Sequence, residues 1–384
     1  MAIVHYNKIF FLLITPYRPT LINYRHYMAF VFAIEEINRS SWILPNITLG
    51  YQIFDSCSSN HKCLSDALGA ISGKQQNVPN FSCWGNSKMV GIVGDLSSFT
   101  TYAIAQLVGV LSYPQISYGA MNPVFSDKFQ FPSFYRTIPN EEAEMDGIVQ
   151  ILKHFGWKWV GLIISDDDVG YRARERISTE LSSRGGCLAF SAFIEGNNDE
   201  LVEKIGKTTV NVIVLFISQD TKYMHLFSLH SLPPKIWITS YFIHSILIFN
   251  QHNLEFTLNG SLSLLIQEGE IPGFEHFFYT YSPNDYPNNT ILASMWQSLF
   301  HYYFIDSPSC RSEIPGGNLN KCTGNKSLDV DLLVYGKRNY RVTYRVYTAV
   351  YALARALHNL YSAQPPATHW GKLESLKHKV KPWQ

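Results

Sequence analysis

The sequence predicts an α/β fold in two lobes, each a doubly wound parallel sheet with helices on both faces. Short apolar strands alternate with amphipathic helices through the first third of the chain, and the alternation resumes through the middle. After about Leu264 the connections turn irregular and rich in Pro, Gly and Asn, before a strong helix at 343–361. With 384 residues, 46% of them hydrophobic, the chain has enough apolar surface for two packed cores.

In chain order, the first lobe opens with a helix at about His26 to Asn38 and a strand, LGYQIFD. A helix around Leu64 to Ser72, the strand VGIVGD, a helix from Thr100 to Leu111 and the strand YPQISYG follow. Asn140 then caps a helix whose first turn holds Glu141, Glu142 and Glu144 and whose apolar stripe is Met145, Ile148, Val149, Leu152 and Phe155. On spacing alone, those acids complement the helix dipole. The middle reads as the strand WKWVGLIIS, a polar helix from Tyr171 to Ser183, the strand CLAFSAFI and the helix NDELVEKIGKTT. The buried strand VNVIVLFIS, the helix TKYMHLFSLHSL and the strand KIWITS complete successive βαβ units.

Composition narrows the function classes. The formal net charge is +1, from 31 basic and 30 acidic residues, with no basic run, which argues against nucleic acid as a partner. The longest apolar segments, Asn211 to Ser218 and Ile243 to Phe249, fall well short of the roughly 18 residues a membrane helix needs. No GxSxG, HExxH, GxxxxGK[ST] or GxGxxG occurs, and the 13 histidines have no ligand spacing, so neither an enzyme, a metal site nor a cofactor is expected. The acidic trio Asp166, Asp167, Asp168 reads as a solvated loop between strand and helix.

Six Asn-x-Ser/Thr acceptors, at Asn38, Asn46, Asn80, Asn259, Asn288 and Asn325, and six cysteines without a CxxC pair point to an extracellular setting. Cys310 and Cys322 bracket a Pro/Gly/Asn-rich loop, which reads as a disulfide-closed hairpin. Closing so short a loop would stabilise by roughly 2–3 kcal/mol. The apolar run IFFLLI at 9–14 is short for a signal-peptide core, and no small-residue cleavage site follows it.

The stretch GIVGDLSSFTTYAIAQLVGVL carries the binding chemistry. Gly94 ends a strand at the carboxyl edge of a parallel sheet, where open α/β folds bind ligands. The helix starting near Phe99 aims its unpaired N–H groups at that edge, and Ser97 or Ser98 could donate to a carboxylate or phosphate held there. A helix cap is the alternative reading of these hydroxyls, and the two are compatible.

Several segments are similar to one family. FAIEEIN (32–38), LPNITLGYQIFDSC (44–57), YPQISYG (113–119), FYRTIPN (134–140), GWKWVGLIISDDDVG (156–170), GEIPGF (269–274), CTG (322–324), VYTAVYALARALHNLY (346–361) and PWQ resemble, in order, the extracellular Venus-flytrap module of class C G-protein-coupled receptors. The resemblance covers about residues 22–384 and is strongest to vomeronasal type 2 and related olfactory receptors, with the calcium-sensing receptor as close kin.

The resemblance implies a bilobed, periplasmic-binding-protein-like fold with lobe 1 in 1–140 and 266–384, lobe 2 in 141–265, and a ligand cleft between them. It places the serine for a ligand carboxylate at Ser98, the facing main-chain segment at Gly119, Ala120 and Met121, and the ammonium acceptor at Glu141. Val169 stands where an aromatic ring is usual, and Tyr241 where a second acid is usual. The implied partners are a small-molecule or peptide ligand, a second receptor in a homo- or heterodimer, and a G protein reached through a membrane domain absent from this chain. The implied location is the extracellular side of the plasma membrane.

Cys187 resembles a lobe 2 cysteine that pairs with a following cysteine-rich domain, and Cys83 lies where some relatives carry an intersubunit disulfide. The usual upstream partner of Cys57 is replaced by Pro16, which leaves Cys63 as a substitute or the first 20 residues as atypical. On this reading the chain stops short of the cysteine-rich and seven-helix domains. A stand-alone solute-binding protein of periplasmic type is the alternative, and an enzyme on a doubly wound fold a third.

Overall fold

The computed structural model describes residues 2–6, 21–72, 89–194, 199–218, 235–241, 260–283, 285–286, 289–300, 302–303, 320–321 and 340–363. Their strands form two five-stranded sheets and a short two-stranded one.

The first sheet runs in the order β2 (Leu49–Ile53), β1 (Ala2–Tyr6), β3 (Met89–Val93), β4 (Gln115–Ser117), β5 (Phe134–Arg136). β3, β4 and β5 are parallel, as the alternation predicts. The sequence reading contained no strand at Ala2–Tyr6, yet β1 lies between β2 and β3, antiparallel to both. The strand at Phe134–Arg136 was also unexpected.

Helices cover both faces of this sheet. On one side α1 (Leu21–Arg39) packs with the last helix, α9 (Arg341–Ser362), through Phe30, Val31, Ile34 and Ile37 against Val346, Val350 and Leu353. On the other, α2 (Asn60–Ser72) and α3 (Ser98–Val110) enclose Cys63, Ala67, Ile92, Ile104 and Val108. Polar contacts fix α9 to the start of the chain: the Tyr347 and Tyr351 hydroxyls donate to Glu36 at 2.8 and 2.7 Å, and the Leu44 amide to Nδ1 of His358 at 3.2 Å.

The second sheet, in the order β10 (Leu262–Ser263), β9 (Ile236–Thr239), β8 (Val212–Phe216), β6 (Trp159–Ile164), β7 (Cys187–Phe193), is parallel throughout. β8 is buried along its whole length, which is why VIVLF is a continuous apolar run rather than an alternating one. One face packs on α4 (Glu141–His154) and α5 (Asp168–Ser182), the other on α6 (Asp199–Lys207). Two shorter helices, α7 (Phe274–Thr280) and α8 (Thr290–Phe300), pack with α1 around Tyr24, Met28, Phe278 and Trp296.

Three stretches of chain, around 121–138, 241–267 and 342–345, meet at one place. Thr137 Oγ1 donates to the Arg345 carbonyl at 2.9 Å, and Arg345 donates to the Gln267 carbonyl at 2.8 Å. Met121, Ile138, Tyr241 and Ile266 form a small apolar cluster there, with Val342 against it.

Two acceptor asparagines lie in described segments, and they differ. The Asn38 carboxamide is engaged with the Leu49 backbone, its Nδ2 donating to the carbonyl at 3.0 Å and its Oδ1 accepting from the amide at 2.8 Å. Asn46 is exposed, in a turn with φ of 64°. Cys57 is exposed and Cys63 buried, both as free thiols, so Cys63 is not the partner of Cys57; Cys187 is free and exposed. The helix expected at TKYMHLFSLHSL lies outside the described residues, as do Cys83, Cys310, Cys322, Asn80, Asn259, Asn288 and Asn325.

Candidate functional site

The site is built outward from α3. Ser97 is its N-cap, in extended backbone, its hydroxyl accepting from the Phe99 amide at 3.2 Å. Ser98, one residue on, is thereby released from capping, and its Oγ accepts instead from the Asn122 amide at 3.3 Å. Thr100 and Thr101 turn inward to Asp95, Thr100 donating to the carboxylate at 2.7 Å and Thr101 accepting from the Asp95 amide at 3.2 Å. Cap, site and core support are thus divided among four hydroxyls within five residues.

The loop facing Ser98 is held from several sides. Ser117 Oγ accepts from the amides of Gly119 and Ala120 at 3.3 and 2.9 Å and donates to the Asp95 carbonyl at 2.7 Å. Arg136 on β5 donates to the Asn122 carbonyl at 2.9 Å and reaches the Ala120 carbonyl at 3.4 Å. A Cβ on Gly119 would collide with the Leu96 carbonyl, so glycine is what lets the loop approach the start of α3. The main-chain groups expected to serve a ligand are therefore largely committed within lobe 1.

Glu141 joins this loop to lobe 2. As the first residue of α4, after the Asn140 cap whose Oδ1 accepts from the Ala143 amide at 3.1 Å, it donates its own amide to the Met121 carbonyl at 3.0 Å. Its side chain is buried, and Oε1 accepts from Nε of Arg172 at 2.9 Å and from the Nη2 of the same guanidinium. Burial pushes the Glu141 carboxyl above its ordinary range while Arg172 pulls it back. One turn further along both helices, Arg176 pairs with Asp146 at 2.8 Å.

Glu144, also in the first turn of α4, accepts from the Tyr241 amide at 2.5 Å. Desolvation lifts its carboxyl to about 7, against the opposing pull of that hydrogen bond. The two lobe 2 positions that depart from the family pattern are both placed in apolar surroundings. Val169 packs on the lobe 2 core, and the buried Tyr241 sits with Met121, Ile138 and Ile266. An aromatic ring occurs two residues after Val169, at Tyr171, but it faces Phe193 and donates its hydroxyl to Asp166 at 3.0 Å.

The acidic trio is absorbed locally. Asp167 caps α5, accepting from the Gly170 amide at 3.0 Å and the Ser165 hydroxyl at 2.8 Å, and Asp168 begins the helix. A cavity of about 80 Å³ lies elsewhere in lobe 2, lined by Leu152, Trp157, Lys158, Leu181 and Arg184 near the far ends of α4 and α5.

The structure thus brings Ser98, Gly119, Ala120, Met121, Glu141 and Tyr241 into one connected region. The residue that sequence reasoning missed is Arg172. The sequence shows only a polar helix carrying Arg172, Arg174 and Arg176; the structure sets Arg172 and Arg176, one turn apart on α5, against Glu141 and Asp146 on α4.

Residues 25–384 match the family model described as "Receptor family ligand binding region". Among curated proteins, the chain is 31% identical to the extracellular calcium-sensing receptor of Mus musculus over 94% of its own length and 36% of that protein's. It is 31% identical to vomeronasal type-2 receptor 26 of Mus musculus over 87% of its length and 40% of that protein's. It is 28% identical to taste receptor type 1 member 3 of Rattus norvegicus over 93% of its length and 42% of that protein's. The chain therefore spans well under half the length of these relatives, all of them receptors. No helix among the described residues is long and apolar enough to cross a membrane.

Proposed function

The chain belongs to the receptor ligand-binding family, as an extracellular ligand-binding domain of class C type, and we propose that it binds a small ligand at Ser98, between its two lobes. The observation that carries this reading is the division of labour at the start of α3. Ser97 caps the helix, so the Ser98 hydroxyl, facing the Gly119–Asn122 loop, keeps its proton to donate to an acceptor at the positive end of the helix dipole.

Lobe 1 comprises 1–140 and 266–384 and lobe 2 comprises 141–265, with Met121, Ile138, Tyr241 and Ile266 at the seam. A ligand that touches both sides stabilises the closed arrangement only by its preference for that arrangement. Closure then acts on a dimer partner, as in a receptor that signals through a G protein. Exposed apolar side chains, Leu68 on α2, Phe99 and Val110 on α3 and Leu111 just after it, are consistent with a partner packed on lobe 1.

Titrating the chain with the 20 amino acids and a set of peptides, with thermal unfolding as readout, tests the site. A ligand-induced rise that Ser98→Ala removes is expected; a rise that survives Ser98→Ala places the ligand elsewhere.

A further inference from the structure

Around Glu141 the chain has already supplied a cation. Oε1 of this buried carboxylate takes both Nε and Nη2 of Arg172, a forked contact from within lobe 2 that needs no ligand. An ammonium brought to the other carboxylate oxygen would sit near the guanidinium, whose repulsion offsets much of the attraction. The nearby Glu144 is occupied by the Tyr241 amide, and Asp167 by Ser165 and the start of α5. Tyr241 itself is a neutral residue in an apolar cluster. The acceptors around a bound ammonium are thus compensated or engaged.

The donors tell the opposite story. The Arg172 side chain is 36% exposed, and its Nη1 and the second proton of Nη2 are not used by Glu141. Ser98 keeps a hydroxyl proton, and α3 presents its positive end. Arg136 stands behind the intervening loop. Met121, in the loop facing Ser98, and Tyr241, whose amide meets Glu144, add an apolar cluster to the same region.

We infer that this site selects a carboxylate-bearing ligand without a free ammonium group, with Arg172 as the specificity-determining residue that turns an ammonium acceptor into an anion-tolerant pair. The inference rests on the reading that the ligand is held at Ser98, and it narrows that ligand's class from amino acids to their deaminated or N-blocked counterparts.

The test uses matched pairs on the full chain: alanine with propionate, leucine with 4-methylpentanoate, phenylalanine with 3-phenylpropionate and glutamate with glutarate, each titrated by thermal shift and calorimetry. At least one deaminated acid is expected to bind about tenfold or more tighter than its amino partner. Arg172→Met should reverse that order by releasing Glu141. Glu141→Gln, which keeps the helix contacts and needs no buried charge to be tolerated, should tighten binding of the acid, and it stands in if Arg172→Met folds poorly. Preference for the amino form, removed by Ser98→Ala, would overturn the inference while leaving the site in place. Binding that ignores Ser98→Ala would overturn the site reading as well. Silence of every deaminated acid would overturn the inference alone if a free amino acid still gave a Ser98-dependent shift, would support it for N-blocked ligands if only an N-acetyl amino acid did, and would overturn both readings if nothing did.

Discussion

The two sides of the candidate site are assembled from different interactions. On lobe 1, Ser98, Ser117, Gly119 and Ala120 form a neutral lattice of hydroxyls and main-chain groups, rigid because a glycine lets two loops touch. On lobe 2, Glu141, Arg172 and Glu144 are charged or titratable, and each is compensated from within the same lobe or by the seam. The lobe 1 side is therefore fixed by shape and the lobe 2 side by charge balance. A neutral lattice is insensitive to pH but intolerant of added volume; a charge-balanced one accepts volume and responds to charge.

Four perturbations break or sharpen that contrast. The largest effect is expected from Gly119→Ala, which puts a methyl group against the Leu96 carbonyl and should cost about 3 kcal/mol of stability by chemical denaturation. A loss under about 1 kcal/mol would mean that the lobe 1 side is softer than its contacts imply. Next comes Arg172→Met, which strands the Glu141 carboxylate and should cost about 2 kcal/mol, less than a fully buried pair because the arginine is partly exposed.

The third perturbation is pH. Glu144 has a folded value of about 7, above the ordinary 4.5, so the native state retains a proton that the unfolded chain releases. Its contribution is present below about 4.5 and is lost as pH rises to about 7. His26, buried in α1 beside Tyr118 with Nδ1 unpartnered, is lowered from 6.5 to about 3, chiefly by burial. Its contribution is present above 6.5 and is lost as pH falls toward 3. Melting temperatures followed across pH should therefore lose, in Glu144→Gln, the part of their decline between about pH 4.5 and 7 that this proton causes, and, in His26→Phe, part of their decline below about pH 6.5. Parallel curves for wild type and both variants would refute the assignment. The smallest stability effect is Ser98→Ala, about 1 kcal/mol or less, because its one hydrogen bond is long at 3.3 Å. The informative loss there is in ligand response.

Much of this was legible in one dimension. The alternation of apolar strands and amphipathic helices survives because strand burial and helix caps are local properties: the cap at Asn140 falls where the sequence puts it, and the structure chooses Ser97 from the hydroxyls the sequence offers at α3. The parallel second sheet was readable from runs such as VIVLF, since a strand buried on both faces has no polar alternation to hide it. Strand β1 was not readable: AIVHY is five residues long, and its identity rests on pairing with two strands far along the chain. Arg172 escaped for a similar reason. A polar helix carrying Arg172, Arg174 and Arg176 gives no one-dimensional mark of which guanidinium meets Glu141; the packing angle of α4 on α5 decides it. The sequon at Asn38 shows the converse, a pattern legible in the sequence whose side chain the fold has already taken for the Leu49 backbone.

The embrace of α1 by α9 has a consequence for how the molecule is made. Glu36 waits for Tyr347 and Tyr351, and the Leu44 amide for His358, more than 300 positions later. Lobe 2 draws its five strands from one continuous stretch, 159–263, and can finish its sheet while the ribosome is still working. Lobe 1 holds the apolar face of α1 uncovered until α9 has been made, so it completes after lobe 2. In a cell, chaperone engagement and early proteolytic cutting should concentrate on the α1 face of lobe 1 until α9 emerges to cover it.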